Sequence, residues 1–461
     1  MFLNRYIGDK AFYRRVLAIT IPIVIQNGIT NFVSLLDNIM VGQVGTMPMS
    51  GVSIANQLMF IFNLTVFGAS GGAGIFTAQF FGRGDHAGVR YTFRYKYLIC
   101  LLLSLLGIGV FLGGGQSLLG LYLQGEGDAT AAQQTLAYGI SYLKIMLWGL
   151  VPFALTNAYS STLRETGQTV VPMVAGVTAV FVNLALNYLL IFGHLGLPAM
   201  GVEGAAVATV VSRYVELAIV AVWTHLHQKE APFIKGAYRS LFIPKDLLWN
   251  MSKKGLPLMM NEFLWSTGVA FLNQCYSTCG LDVVPALNIA TTIQNLANVV
   301  GIALATAVGI IMGQMLGFGH TREEVMDADR KLLALSVVCG LFFGGALLAV
   351  SGAFPMLYNT SNEIRRLAST LICIIAVLTP ITSYTLTTYF TLRSGGQAFI
   401  TFLFDSCFMW VCAVPLTFCL SRFTDLPIIP LFAICQSTEL LKCCIGTWLV
   451  KKGFWIINLT Q

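Results

Sequence analysis

A chain of 461 residues that is 56% hydrophobic and only 10% charged is not a soluble globular domain, where charged residues run at about 25%. Its net charge of +7 is scattered over short segments, not massed into a patch that would bind nucleic acid. With a mean hydropathy of +0.75 and apolar stretches of about 20 residues from end to end, it reads as a membrane protein. Backbone polar groups in lipid must be bonded internally, so the expected fold is all-α.

About twelve spans are predicted, at 16–42, 50–78, 92–114, 136–162, 168–192, 201–226, 253–278, 284–316, 330–354, 366–392, 397–420 and 427–450. The first does not read as a cleavable signal, being too long, without a small-residue cleavage site, and holding Asp37. A carboxylate at bilayer depth costs at least ~2.5–3.5 kcal/mol, which makes Asp37 a functional candidate. Gln26, Thr30, Ser34 and Asp37 follow at helical spacing, with Asn27, Asn31 and Asn38 beside them. This polar stripe is expected to line a wet cavity. The alternative is that its amides and hydroxyls only bond neighbouring helices.

In the fourth span Lys144 can snorkel outward. Asn183 and Asn187 lie one turn apart in the fifth span, so their carbonyl oxygens can converge on Asp37, and Thr209 of the sixth is a further oxygen. One carboxylate with neutral oxygens suits Na⁺ at Asp37, Asn183 and Asn187. It equally suits a proton on Asp37, because burial disfavours a carboxylate's charge. A plain Asp–Asn clasp between helices is the structural alternative. Arg213 with Glu216, and Glu439 with Lys442, are spaced to neutralise each other along their own helices and read as structural pairs.

Glu262 in the seventh span and Asp405 in the eleventh lie at similar depth. They are expected to share one cavity, holding a proton between them or attracting a cationic ligand. Phe263, Trp265, Trp410 and Tyr384 offer π faces nearby, or else simply pack against lipid and neighbouring helices. The 11 Cys sit almost entirely in apolar runs and read as small buried hydrophobes, with Cys275 and Cys279 the one pair worth noting. No cofactor is expected.

Segments on the N-terminal side carry most of the Lys and Arg, among them Arg5, Arg14, Arg15, Arg83, Arg94, Lys96, Arg164, Lys253, Arg322, Arg393 and Lys451. The opposite side has Arg365, Arg366 and Arg422. Both termini therefore read as cytoplasmic and the number of spans as even. The longest polar connection, 227–252, contains Pro232, Gly236 and Pro244. It reads as a linker between an N-terminal six-helix lobe, 1–226, and a C-terminal one, 253–461.

The halves repeat. At an offset of 235, Pro22, Gly45, Gly74, Gln79 and Gly82 meet Pro257, Gly280, Gly309, Gln314 and Gly317. At an offset of 229, Leu163-Arg164 meets Leu392-Arg393, Gly167-Gln168 meets Gly396-Gln397, and Arg213 meets Lys442. Six spans per half make these parallel repeats, pseudo-symmetric about an axis along the membrane normal, an architecture suited to alternating access.

The motifs Leu36-Asp37-Asn38-Ile39-Met40-Val41-Gly42, Gln79-Phe80-Phe81-Gly82-Arg83-Gly84 and Leu163-Arg164-Glu165-Thr166-Gly167-Gln168 resemble the multidrug and toxic compound extrusion (MATE) family. Pro257, Asn261-Glu262, Trp265, Gly268, Asp405, Trp410 and Pro415 resemble its DinF-like branch. The resemblance implies an inner (plasma) membrane antiporter, acting as a monomer, that exports cationic or amphipathic compounds in exchange for H⁺ or Na⁺ and confers multidrug or antibiotic resistance. It also implies that Asp37 and the Asn183–Asn187 pair form the ion-coupling site. Some members carry an acid where this chain has Asn187, and the acid some carry on the tenth helix has no counterpart in 379–392.

Two other readings compete. A lipid-linked saccharide flippase of the same superfamily needs a strongly cationic cavity, whereas the embedded groups without an on-helix partner are the acids Asp37, Glu262 and Asp405. An integral membrane enzyme needs a concentrated catalytic cluster, and none is legible. The chain also lacks a nucleotide-binding loop of its own.

Overall fold

The computed structural model describes residues 6–121, 129–280, 282–358, 360–424 and 426–460. Arg5 lies outside the described residues, as do the side chains of Leu35, Asn38, Ile39, Thr46, Leu121 and Ala129. Twelve long helices account for most of what is described. They are α1 (Lys10–Gly42), α2 (Thr46–Arg83), α3 (His86–Leu121), α4 (Thr130–Glu165), α5 (Val170–Phe192), α6 (Val202–Leu226), α7 (Lys245–Ser277), α8 (Val283–Phe318), α9 (Arg322–Val350), α10 (Asn362–Ser394), α11 (Ala398–Phe423) and α12 (Ile428–Lys452). Eleven of them are long and apolar enough to cross a membrane. The exception is α7, whose 33 residues give length enough but whose Lys253, Lys254, Asn261 and Glu262 dilute its apolar content.

By packing, the described chain forms two compact units. One comprises residues 25–77 and 85–252. Its core joins Val52, Ala55, Leu58 and Val66 of α2 to Cys100 of α3, Leu150, Ala154 and Ala158 of α4, Ile191 of α5 and Ala205 and Ala206 of α6. The connection after α6 belongs to this unit. Phe233, Ile234 and Ala237 are buried, and the Arg94 guanidinium donates to the carbonyls of Ala237 at 2.8 Å, Phe242 at 2.9 Å and Gly236 at 3.0 Å.

The second unit comprises residues 1–24, 78–84 and 253–461. This differs from a break confined to 227–252 at the ends of α1 and α2. Val16, Ile19 and Ile23 of α1 share an apolar cluster with Ala303, Val308 and Ile311 of α8, so the start of α1 packs with the C-terminal helices. The end of α2 meets the end of α8 through repeat-related glycines. A Cβ on Gly82 would lie 2.8 Å from Gln314 Cα, and one on Gly317 would lie 2.6 Å from Gln79 Cα. Each half thus presents its Gly to the other's Gln backbone, the reciprocal contact that a pseudo-twofold relation requires.

Several cations that sequence places among loop charges belong to the helix interiors. Arg94, Lys96 and Arg393 are buried, Lys96 completely. The Lys96 ammonium is paired with Glu165 and lies 3.2 Å from Ser161 Oγ. Lys144 is exposed, and the described cysteines are free, Cys275 and Cys279 included.

Candidate functional site

In the first unit, α5 carries Asn183 and Asn187 on one face toward α1. Asn187 Nδ2 donates to Asp37 Oδ1 at 2.7 Å. The Asn183 amide is best satisfied when turned so that its nitrogen donates to Asp37 Oδ2 at 2.9 Å and its oxygen accepts from Thr209 Oγ1 at 3.2 Å. The four groups expected to meet do meet. The polarity of the contact differs from expectation, since the amides turn N–H groups, not carbonyl oxygens, toward the carboxylate. An ionised carboxylate only accepts, so N–H donors are what satisfies it. A Na⁺ shell here would require Asn187 to turn over. Its Oδ1 is buried and has no hydrogen-bond partner in the present orientation.

This cluster lies at one wall of a cavity of about 260 Å³ within the unit. Gln26, Asn27, Thr30, Ser34 and Asp37 of α1 all line it, so the polar stripe faces a cavity. The opposite walls bring Asn157, Ser160 and Arg164 from α4 and Thr209, Ser212, Arg213 and Glu216 from α6. Arg213 holds Glu216 at 3.3 Å, as their spacing predicts, yet both line the cavity instead of serving only as a structural tie. Sequence reading also missed Arg164, placed there with the loop charges. Asn157, Ser160 and Arg164 follow at spacings of 3 and 4, a one-face polar stripe that marks this wall. Gly176 of α5 makes room for Gln26, because a Cβ there would lie 2.6 Å from Gln26 Nε2.

In the second unit, the acids expected together are neighbours, but Asp405 is not an unpartnered acid. Its Oδ1 accepts from Lys442 Nζ at 2.7 Å and its Oδ2 from Asn261 Nδ2 at 3.0 Å. Asn261 Oδ1 in turn accepts from Ser406 N at 3.2 Å and Ser406 Oγ at 2.7 Å. Lys442 stands farther from Glu439, at 3.8 Å, and Glu439 takes a hydrogen bond from Thr385 at 3.0 Å. The expected Glu439–Lys442 pair is therefore secondary to a pairing between helices. Asp405 lies in the first of two π-helical turns of α11, Leu403–Cys407 and Met409–Ala413. Such turns shift the register of every side chain beyond them and recur at functional sites. Glu262 interacts electrostatically with Arg393 and Asp405.

The aromatics around these acids are not gathered into a cage. Tyr384 bonds Thr447 at 3.0 Å, Trp410 Nε1 donates to Leu264 O at 2.9 Å, and Trp265 is 37% exposed. The protein's own cations lie over rings beside this cluster, Lys442 5.4 Å from the Phe404 centroid and Arg393 5.6 Å from that of Phe390.

The MatE family model matches residues 22–189 and 257–419. The chain is similar to the probable multidrug resistance protein NorM of Thermotoga maritima, 23% identical over 90% of this chain and 86% of that one. Among solved structures it superposes on the outward-facing conformation of a multidrug resistance MATE family transporter of the MOP superfamily, with a TM-score of 0.87, 19% identity and 97% of each chain covered. It also superposes, with a TM-score of 0.86, 18% identity and 98% of each chain covered, on a MOP superfamily transporter from Pyrococcus furiosus whose binding pocket is described as of reverse polarity.

Proposed function

Because the chain belongs to the MatE family of membrane transporters, we propose that it is a secondary active multidrug exporter and not an enzyme. Organic cations and amphipathic compounds leave across the plasma membrane in exchange for H⁺ or Na⁺, through alternating access of two pseudo-symmetric lobes. The protein acts as a monomer with both termini in the cytoplasm. The multidrug resistance name of its relative supports the cargo class.

One observation carries this reading: Asp37, held by amide donors, stands in the wall of a polar cavity of about 260 Å³. The cavity's titratable groups are Asp37, Glu216, Arg164 and Arg213, whose formal charges cancel. A proton or Na⁺ on Asp37 removes one negative charge and leaves the wall net positive. Against a cationic cargo ~5 Å away, that change amounts to about 3 kcal/mol at an effective dielectric of ~20. Ion and cargo are thus antagonists at one site, as exchange requires. The cationic preference rests on Asp37 and Glu262, since Asp405 already has Lys442.

The test is ethidium efflux from proteoliposomes with Na⁺ and pH gradients imposed separately. One gradient is expected to drive efflux, and Asp37→Asn to abolish it in a folded protein. Efflux that responds to neither gradient, or that survives Asp37→Asn unchanged, contradicts the reading.

A further inference from the structure

One carboxyl of the second unit belongs to neither cluster described above. Asp329 of α9 is 0% exposed. Its neighbours along the helix, Val325, Ala328, Leu332 and Leu333, share an apolar cluster with Leu392 of α10. Thr391 Oγ1 donates to Asp329 Oδ1 at 2.7 Å, whereas the buried Oδ2 has no hydrogen-bond partner. Arg330, next along α9, acts on it electrostatically, and Lys331 is taken by Asp327 at 2.6 Å. Among the described residues Asp329 makes no ion pair. Neither charge state is complete in protein atoms alone. Ionised, the group lacks a counter-charge and Oδ2 lacks a donor. Protonated, it leaves either an O–H without an acceptor or a carbonyl oxygen without a donor.

The first unit treats its buried charge differently, for there Glu165 neutralises the wholly buried Lys96. At the repeat offsets of 235 and 229 those two residues meet Lys331 and Ser394, so that pair has no copy in the second unit. What stands beside Asp329 instead is hydroxyl. Thr388 lies one turn before Thr391 on the same side of α10, a spacing that sets Cβ atoms about 5–6 Å apart. Thr379 and Thr387 donate to the carbonyls of Ile375 and Ser383, both at 2.9 Å, the usual resort of a helical threonine. Thr388 does not. It is 0% exposed and its Oγ1 has no hydrogen-bond partner. Its methyl is the group that meets α12, where a Cβ on Gly446 would lie 2.9 Å from Thr388 Cγ2.

We infer that Asp329, Thr388 and Thr391 hold a Na⁺ ion between α9 and α10, at a site separate from Asp37. Thr391 gives its proton to the carboxylate and keeps lone pairs for a cation. Oxygen ligands suit a hard ion, and one carboxylate balances one positive charge. No group of three or more His, Cys, Asp and Glu gathers for a metal ion among the described residues. The bound ion supplies the counter-charge that a buried carboxylate requires and ties the two helices together. The inference does not rest on the export reading, since the ion's place here is to complete the packing.

The test uses purified full-length protein in non-ionic detergent, carrying Asp37→Asn so that the α1 carboxylate contributes nothing. Thermal unfolding is followed as NaCl replaces choline chloride at constant ionic strength. The midpoint is expected to rise by at least about 2 °C between about 1 and about 100 mM Na⁺. Adding Asp329→Asn should abolish the rise, and adding Thr388→Val instead should raise the half-saturating Na⁺ concentration about tenfold. Where Asp329→Asn does not fold, the shift in Thr388→Val decides. A midpoint indifferent to Na⁺, a rise that survives Asp329→Asn, or a half-saturation unmoved by Thr388→Val overturns the inference. A midpoint that follows pH but not Na⁺ also overturns it, and gives the carboxyl a proton in place of the ion.

Discussion

Lys96 is wholly buried in α3, with Glu165 as its ionic partner and the Ser161 and Thr162 hydroxyls alongside. Breaking such a pair on one side leaves a buried charge uncompensated and typically costs ~3–5 kcal/mol. Lys96→Met should lower the thermal-unfolding midpoint markedly, and adding Glu165→Gln should recover part of the loss. A single variant as stable as wild type would show that the pair contributes nothing. Sequence pattern hides this role because α3 is 36 residues long, well beyond the ~20 that cross a bilayer. Cations that flank the apolar window are then still helical and still packed, as Arg94 and Arg164 are too. By contrast, that Asn183 and Asn187 share a face is legible from spacing, while their meeting with Asp37 is what the family resemblance implies. Which end of each amide faces the carboxylate is not legible, because it depends on who donates to whom once the helices meet.

At the scale of elements, α5 and α6 are held in close register by Gly204, where a Cβ would fall 2.7 Å from the Leu190 carbonyl carbon. The Asn183–Thr209 contact spans the same helix pair. Gly204→Val should push these helices apart, destabilising the protein by more than ~1 kcal/mol and weakening cargo binding together with it. A folded Gly204→Val protein with unchanged ethidium affinity would detach the cavity from this packing. The π-helical turns of α11 had no signal in sequence. Residues 403–413 keep the apolar periodicity of an ordinary span, and only the partnership of Asp405 with Lys442 and Asn261 reveals the altered register. The on-helix pairing of Glu439 with Lys442, sound by spacing, yields to the interhelical one, at 3.8 Å against 2.7 Å.

Across the whole molecule, the internal repeat was the most informative signal. Gln79 and Gly82 match Gln314 and Gly317 by offset alone, and the folded chain uses those positions in a reciprocal contact. Repeat matching does not say which helix ends pack with which unit. The start of α1 joins the C-terminal helices through Val16, Ile19 and Ile23, a choice made by apolar surface that only appears when α8 and α9 are in place. Helix α1 therefore runs from one compact unit into the other, with Pro22 just before the change and Asp37 well beyond it.

The central claim is that coupling ion and cargo compete for Asp37. The direct measurement is ion release from purified protein in weakly buffered detergent solution on addition of ethidium, followed with a pH indicator and, in parallel, a Na⁺-sensitive dye. The account predicts release of up to about one H⁺ or Na⁺ per ethidium bound by wild type and none from a folded Asp37→Asn protein that still binds cargo. Equal release from both proteins, or ethidium binding by wild type with no ion released at any starting pH or Na⁺ concentration, would contradict it.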